Sequence, residues 1–316
     1  MGPITRICKV ARAKLNLALH VRGRRADGYH ELDSVFVHTL DGDELWVEPA
    51  DELSLTVTGP EAAGVPTGED NLVMRAARAV HDAYDRDMPK RHRRIEVEVA
   101  AGQPPATRDS ELWRTHYGAS RGAAITLVKN LPAASGIGGG SADAAAAIDL
   151  LVALWELPDD YELMHRIAAG LGADVAACLD PFPKHVKGRG EQFERLYDPA
   201  LRHWPVLLVN PRVEVPTGEV FARWDGHDRG ALPTVPQWRD MAEARNDLSF
   251  AAVQLAPAIA EVRAALANRA GARLVRMSGS GATCFAVFGS AAERDAAAGH
   301  LRAEHPDWWL LATRLT

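Results

Sequence analysis

Residues 128–154, VKNLPAASGIGGGSADAAAAIDLLVAL, decide how the rest of the chain is interpreted. An apolar run leads into this stretch, glycines crowd its centre, and an alanine-rich segment follows. There Ile148, Leu151, Val152 and Trp155 have the i, i+3, i+4, i+7 spacing of a helix face. The pattern predicts a strand, a glycine-rich loop and the start of a helix, in that order.

Such a loop has the properties of a phosphate site. Glycine turns at positive φ and approaches a ligand closely because it has no Cβ. A helix N-terminus adds unpaired N–H groups and the positive end of the dipole, and we expect Ser141 or Asp143 to cap it. The loop is no Walker A sequence, and its triple glycine does not fit the dinucleotide fingerprint. A tight turn without a ligand is the alternative.

Composition narrows the class of protein. The chain has 316 residues, of which 47% are hydrophobic, so we expect a sizeable core and about two domains. A net charge of -6 argues against a general nucleic-acid binder. Three cysteines without a CxxC pair favour reduced thiols over disulfides or zinc. With no signal-peptide core and no apolar run of roughly 20 residues, we expect a cytoplasmic protein without membrane contacts.

The first forty residues alternate between polar and apolar side chains. Lys14 and Asn16 fall on one face of a predicted strand, and Leu15 and Leu17 on the other. The polar pair therefore faces either water or a cleft. Further strand-like runs at 32–40, 43–48 and 53–58 predict a cluster of short antiparallel strands.

Helices and loops are expected along the middle of the chain. A helix is predicted from residue 72 to about 84, with Asp70 or Asn71 as its cap, and another over 160–171, ending at Gly172. Loop or surface character is predicted at 86–94, 101–121 and 186–191, and a strand at 95–99.

The second half predicts an α+β layer of its own. Strands are expected at 204–209, 284–288 and 308–315, and helices at 246–266, broken at Pro257, and at 291–302. Thr217 is expected to cap a helix. A second turn of small residues, at 278–281, precedes the strand at 284–288.

Three motifs stand in one order: AKLN with GRRADGYHEL, then LPAASGIGGGSADAA, then SGSGATCF. Together they resemble the GHMP kinase superfamily, which includes galactokinase, homoserine kinase and mevalonate kinase. The RADGYHEL turn and the triple glycine are most similar to the family that phosphorylates a CDP-linked methylerythritol. The resemblance runs from about residue 11 to residue 288.

The resemblance implies an α+β, two-domain GHMP kinase fold. Residues 1–186 would form an N-terminal ATP-binding domain like ribosomal protein S5 domain 2. Residues 187–316 would form a ferredoxin-like α+β substrate domain, with the active site in the cleft between the two.

The resemblance also implies a reaction. The γ-phosphate of ATP, with Mg²⁺, would pass to the 2-hydroxyl of CDP-methylerythritol in the non-mevalonate (MEP) isoprenoid pathway. Asp174 corresponds to the catalytic general base and Lys14 to the lysine beside it. No metal ligand is assigned in the chain, and we expect a monomer or a weak homodimer.

Binding residues follow from the same resemblance. Those implied for the acceptor are Asn16, Tyr29, His30, Thr217 and Phe221, with Tyr29 and Phe221 on either side of the cytosine. Those implied for ATP are Asp70, Asn71, Leu72, Lys129, Pro132, Ala133, Ala134, Ser135, Gly136, Ile137, Gly138, Gly139, Gly140 and Ser141.

Three positions depart from the family pattern. Arg12 stands where a small residue or proline is usual, Gly218 where proline is common, and Ala176 replaces a proline, which predicts a looser loop after Asp174. Two alternatives stay open: another GHMP kinase, for homoserine or mevalonate, and a non-catalytic nucleotide-binding module. The Tyr29-His30 pair and the triple glycine argue against the first, and the presence of Lys14 and Asp174 argues against the second.

Overall fold

The computed structural model describes residues 6–83, 122–158 and 160–316. The predictions for 86–94, 95–99 and 101–121 lie outside these residues. The chain forms two compact units that interleave along the sequence. Unit 1 comprises Met1–Val10, Glu44–Asn130 and Asp143–Leu179, and unit 2 comprises Ala11–Asp43, Leu131–Ala142 and Asp180–Thr316. The single domain boundary after residue 186 is a different division and stays a prediction.

Two long paired strands open the chain, β1 (Ile7–Arg24) and β2 (His30–Ala50). The prediction of several short strands at 32–40 and 43–48 was therefore wrong. Gly42 explains why β2 continues: a Cβ there would collide with the carbonyl of Ala11, so the glycine permits close approach of the two backbones.

Among the residues described, unit 1 contains a sheet, three whole helices and, from Asp143 onward, most of a fourth. β4 (Gly122–Val128) pairs antiparallel with the end of β2 and parallel with β3 (Leu53–Thr58). The helices are α1 (72–83), α2 (Gly139–Leu154), α3 (Tyr161–Leu171) and α4 (Ala173–Cys178). The Asp160 side chain caps α3 by accepting from the Leu163 N–H, and the helix ends at Gly172, as predicted.

Unit 2 contains a four-stranded antiparallel sheet in the order β10-β7-β9-β8. Its strands are β7 (Pro205–Asn210), β8 (Ala272–Met277), β9 (Cys284–Phe288) and β10 (Trp309–Arg314). Its helices are α5 (Thr217–Ala222), α6 (Ser249–Leu255), α7 (Ala258–Ala267) and α8 (Ala291–Glu304). Strands and helices follow one another in the βαββαβ pattern of a ferredoxin-like layer, with Pro257 between α6 and α7 as predicted.

Both faces of this sheet are buried. Along β9, Cys284 and Phe288 pack in a core with side chains of α6, α7 and α8. The alternate residue Phe285 packs in a second core with Leu15 and Leu17 of β1. The core therefore fixes β1 against the sheet within unit 2.

A hairpin of β5 (Lys184–Gly188) and β6 (Gln192–Arg195) pairs with the first part of β2. The loop predicted over 186–191 was wrong for 186–188, which belong to β5, whereas 189–191 form the turn of the hairpin. Gly188 and Gly190, both at positive φ, form a tight turn between the two strands. Among the described residues, no helix is long and apolar enough to cross a membrane.

Candidate active site

Lys14 and Asn16 are buried in β1 of unit 2. Lys14 is 4% exposed, which excludes water, one of the two environments predicted for this pair. The Lys14 ammonium lies 3.3 Å from Asn16 Oδ1, to which it donates, and 4.1 Å from the centroid of the Phe36 ring. A buried cation needs such partners, because desolvation otherwise disfavours its charge.

The glycine loop is hydrogen-bonded directly to β1. The Lys14 N–H donates to the Ile137 carbonyl at 2.8 Å. Gly138, at φ 65°, passes so close that an added Cβ would lie 3.2 Å from Lys14 Cε. The loop backbone and the Lys14 side chain are thus neighbours within unit 2.

The turn at 278–281 contacts both β1 and the glycine loop. Ser278 Oγ accepts from the Asn16 N–H at 3.2 Å and donates to the Gly136 carbonyl at 3.0 Å. Gly136 and Gly279 pack backbone against backbone: a Cβ on Gly136 would lie 2.6 Å from the Ser278 and Gly281 carbonyl oxygens. The structure therefore brings the three sequence motifs together inside unit 2. In the sequence, the signal for Ser278 was that its turn consists of small residues. That signal predicts a turn and gives Ser278 no functional role.

The helix after the loop begins earlier than expected. α2 starts at Gly139, so Ser141 and Asp143 lie inside it, and the prediction that either caps its first turn was wrong. Asp143 instead accepts from the Lys129 ammonium at 3.0 Å, with both side chains buried in unit 1. That contact stabilises the segment before the loop, while ATP contact by Lys129 stays a prediction.

Asn71 has a structural role in unit 1. Its Oδ1 caps α1 by accepting from the Val73 N–H at 2.9 Å, and its Nδ2 donates to the Pro66 carbonyl. Ser135 similarly donates to the Pro132 carbonyl at 2.6 Å. ATP contacts by Asp70, Leu72, Ala133, Ala134, Gly140 and the other residues assigned to ATP stay predictions.

An aromatic group surrounds His30 in unit 2. Its ring lies 5.0 Å from that of Phe221 and edge-on to Trp224 at 5.6 Å. Tyr29 is 59% exposed, and the Arg189 guanidinium lies 5.0 Å from its ring centroid. The structure thus groups His30 with Phe221, whereas the ring contact shown for Tyr29 is with Arg189. Sequence reasoning missed Trp224 and Arg189, since neither belongs to a motif.

The surroundings of His30 favour its neutral form. Burial, and then the positive charge of Arg24, lower the pKa of His30 below its ordinary value. A neutral imidazole offers one donor and one acceptor.

Thr217 does not cap its helix. It is the first residue of α5, and its hydroxyl lies 2.9 Å from Ser280 Oγ. Gly218 does not adopt a left-handed φ, and a Cβ there would face open space.

Asp174 lies in the first turn of the short helix α4 in unit 1. A carboxylate is favoured there by the helix dipole. Ala176 continues the helix and is buried, so the looser loop predicted after Asp174 was wrong.

Comparison with known proteins identifies the family. The family model for the GHMP kinases N terminal domain matches residues 108–180, and that for the GHMP kinases C terminal domain matches residues 231–307. A 4-diphosphocytidyl-2-C-methyl-D-erythritol kinase of Cereibacter sphaeroides is 43% identical, over 96% of this chain and 98% of the relative. One of Rhizorhabdus wittichii is also 43% identical, over 97% and 94%. The chain belongs to the 4-diphosphocytidyl-2-C-methyl-D-erythritol kinase family.

A solved structure supports the same assignment. The crystal structure of a 4-(cytidine 5'-diphospho)-2C-methyl-D-erythritol kinase has a TM-score of 0.72 and 31% identity, covering 98% of this chain and 99% of that one. The predicted membership of the GHMP kinases and the predicted fold class are confirmed.

Proposed function

We propose that this chain transfers the γ-phosphate of ATP to the 2-hydroxyl of 4-diphosphocytidyl-2-C-methyl-D-erythritol, in the MEP pathway to isoprenoid precursors. One observation carries the proposal: Ser278 joins the strand of Lys14 and Asn16 to the glycine loop by hydrogen bonds. Full-length relatives carry the name of this activity, which favours it over a homoserine or mevalonate kinase. We place the enzyme in the cytoplasm, as a monomer or weak homodimer.

The glycine loop would bind the phosphates. Phosphoryl transfer depends on placement and charge stabilisation, which a rigid loop of backbone N–H groups supplies. The close packing of Gly136 and Gly279 supports this role, because it holds the loop backbone in one conformation.

Magnesium would arrive with ATP. Among the described residues, no group of three or more His, Cys, Asp or Glu side chains could hold a metal ion. Mg²⁺ usually keeps waters and binds one or two carboxylates plus substrate phosphates, so a cage built by the protein is not required.

Asp174 and Lys14 would carry the chemistry. The Asp174 carboxylate takes the proton of the 2-hydroxyl. The freed oxygen forms a bond to the γ-phosphorus, the bond from that phosphorus to the β–γ bridging oxygen breaks, and ADP leaves. The buried Lys14 ammonium offsets the negative charge of the reacting groups.

The aromatic group would select the acceptor. We propose that the cytosine packs on Phe221 and Tyr29, and that neutral His30 uses its donor and acceptor on the edge of the base. Aromatic packing gives base selection without a large basic surface.

A coupled ADP-release assay tests the function. CDP-methylerythritol, homoserine and mevalonate are supplied in turn at equal concentration, and we expect ADP release only with the first. Turnover of homoserine alone would replace the proposal with the other GHMP kinase activity. Tight ATP binding without turnover of any acceptor would indicate a non-catalytic module.

A further inference from the structure

Ser34 is a buried hydroxyl of β2 that belongs to none of the three motifs. It is 1% exposed and lies beside Asn16 in unit 2. Ser34 Oγ accepts from Asn16 Nδ2 at 2.9 Å and donates to the Ala18 carbonyl. The Ser34 hydroxyl thus links the Asn16 side chain to the backbone of β1, the strand to which Asn16 belongs.

The direction of these two bonds fixes the Asn16 carboxamide. The Ala18 carbonyl can only accept, so the single hydroxyl proton of Ser34 points to it. Ser34 Oγ then has only lone pairs to offer Asn16, which must present its NH₂ group. The Asn16 oxygen is therefore on the other side, 3.3 Å from the Lys14 ammonium.

Without this constraint the orientation of the carboxamide depends on its 3.3 Å contact with the Lys14 ammonium. Its oxygen and NH₂ group are nearly equal in shape, and a reversed amide would set N–H donors against the Lys14 ammonium, which itself has only donors. We propose that Ser34 is a positioning residue for the phosphoryl transfer, acting through Asn16 to hold Lys14 in place. This inference rests on the proposed function.

The backbone around Asn16 is held by other groups. Ser278 Oγ accepts from its N–H, and the Arg276 guanidinium donates to the Leu17 carbonyl. Removing the Ser34 hydroxyl therefore changes the orientation of the side chain, while the strand keeps its anchors.

Three variants separate positioning from folding. Ser34→Ala removes the hydroxyl, and Ser34→Thr retains it. Thr39→Val is the matched control, since Thr39 is also buried on β2 and its hydroxyl donates to a backbone carbonyl, with that of Asp41 at 2.5 Å and that of Ala13, on β1, at 3.3 Å. In the part of the chain that the structure describes, Thr39 makes no hydrogen bond to Asn16, and it lies outside the proposed binding residues.

We expect Ser34→Ala to lower kcat about 10- to 100-fold, the scale of a misplaced reacting group, with KM for ATP within about 2-fold. Ser34→Thr should restore kcat, and Thr39→Val should keep it. In an Asn16→Ala background, Ser34→Ala should lower kcat no further, because both substitutions interrupt one path.

A result independent of turnover separates this inference from the proposed function. The side-chain NH₂ protons of Asn16, followed by NMR, should exchange with water faster in Ser34→Ala than in wild type. Unchanged exchange, unchanged kcat, an equal loss of kcat in Thr39→Val, or additive losses with Asn16→Ala would each overturn the inference. If wild type ignores CDP-methylerythritol while exchange responds as expected, the proposed function fails and the constraint on Asn16 stands.

Discussion

At the scale of single residues, the burial of polar side chains could not be predicted from the sequence. Alternation placed Lys14 and Asn16 correctly on one face of a strand, opposite Leu15 and Leu17. It could not show that both faces of β1 are covered, because part of the cover, such as Ser278 and Phe285, comes from segments far along the chain. Ser34 was missed for a different reason: a lone serine in an apolar strand carries no local signal.

Asp174 is the residue whose role is tested most directly. We expect Asp174→Asn to lower kcat by at least ~100-fold, since an amide cannot take the hydroxyl proton, while ATP affinity changes little. Steady-state kinetics with CDP-methylerythritol, together with ATP titration, measures both. A nearly unchanged kcat would remove Asp174 from the role of base.

Phe221 tests how the acceptor is recognised. Truncation to alanine removes a ring that packs on His30, so Phe221→Ala should raise KM for the cytidine substrate by about 10-fold, equivalent to about 1.4 kcal/mol. KM for ATP should stay within about 2-fold of wild type. Equal increases for both substrates would reject the assignment of Phe221 to the cytosine.

At the scale of elements, glycine composition predicted the loop and close packing determines its form. The strand, loop and helix order at 122–154 was predicted correctly. The helix start was not, because Gly139 and Gly140 were assigned to the loop although α2 begins at Gly139. The hairpin of β5 and β6 was missed because its glycines are equally typical of an irregular loop.

The loop makes a steric prediction. Gly136→Ala adds a Cβ 2.6 Å from two backbone oxygens at a φ of 76°, so the loop must move. We expect kcat to fall by roughly 10-fold or more, the effect of small misplacement in an active site. Gly299→Ala, in open space on α8, is the control and should retain wild-type kinetics and a similar Tm. Normal activity of Gly136→Ala would show that the packing of the two turns is not needed.

At the scale of the whole molecule, pairing over long distances determined what could be predicted. Local elements such as α3, α8, β9 and β10 followed from periodicity and caps. The interleaved units did not, since they depend on which distant segments meet.

One buried group links stability to pH. Burial, and then the charges of Lys184 and Lys14, lower the pKa of His38 to about 3. In the unfolded chain this histidine has its ordinary pKa of about 6.5, so below that pH it binds a proton that it does not bind in the folded chain. The contribution of His38 to the free energy of unfolding is therefore fully present above about pH 6.5. It falls as the pH drops toward 3, by up to about 1.4 kcal/mol per pH unit.

Denaturant unfolding of wild type and His38→Leu between pH 4 and 7 measures this slope. We expect a shallower slope for His38→Leu, and a wild-type slope for the same substitution at exposed His300. Equal slopes in all three proteins would show that His38 is not excluded from protonation.

The bond from Ser278 to Asn16 spans 262 residues of sequence. Closing so long a segment is entropically slow, and pairing of this kind delays folding compared with neighbouring contacts. On the ribosome, Asn16 must wait for almost the whole chain to be synthesised before its hydrogen-bond partner exists. Nascent chains would therefore carry an exposed, incomplete β1, a period in which chaperones and proteases compete with folding. Catalytic competence would be acquired late and all at once, so truncated translation products should be inactive rather than partly active.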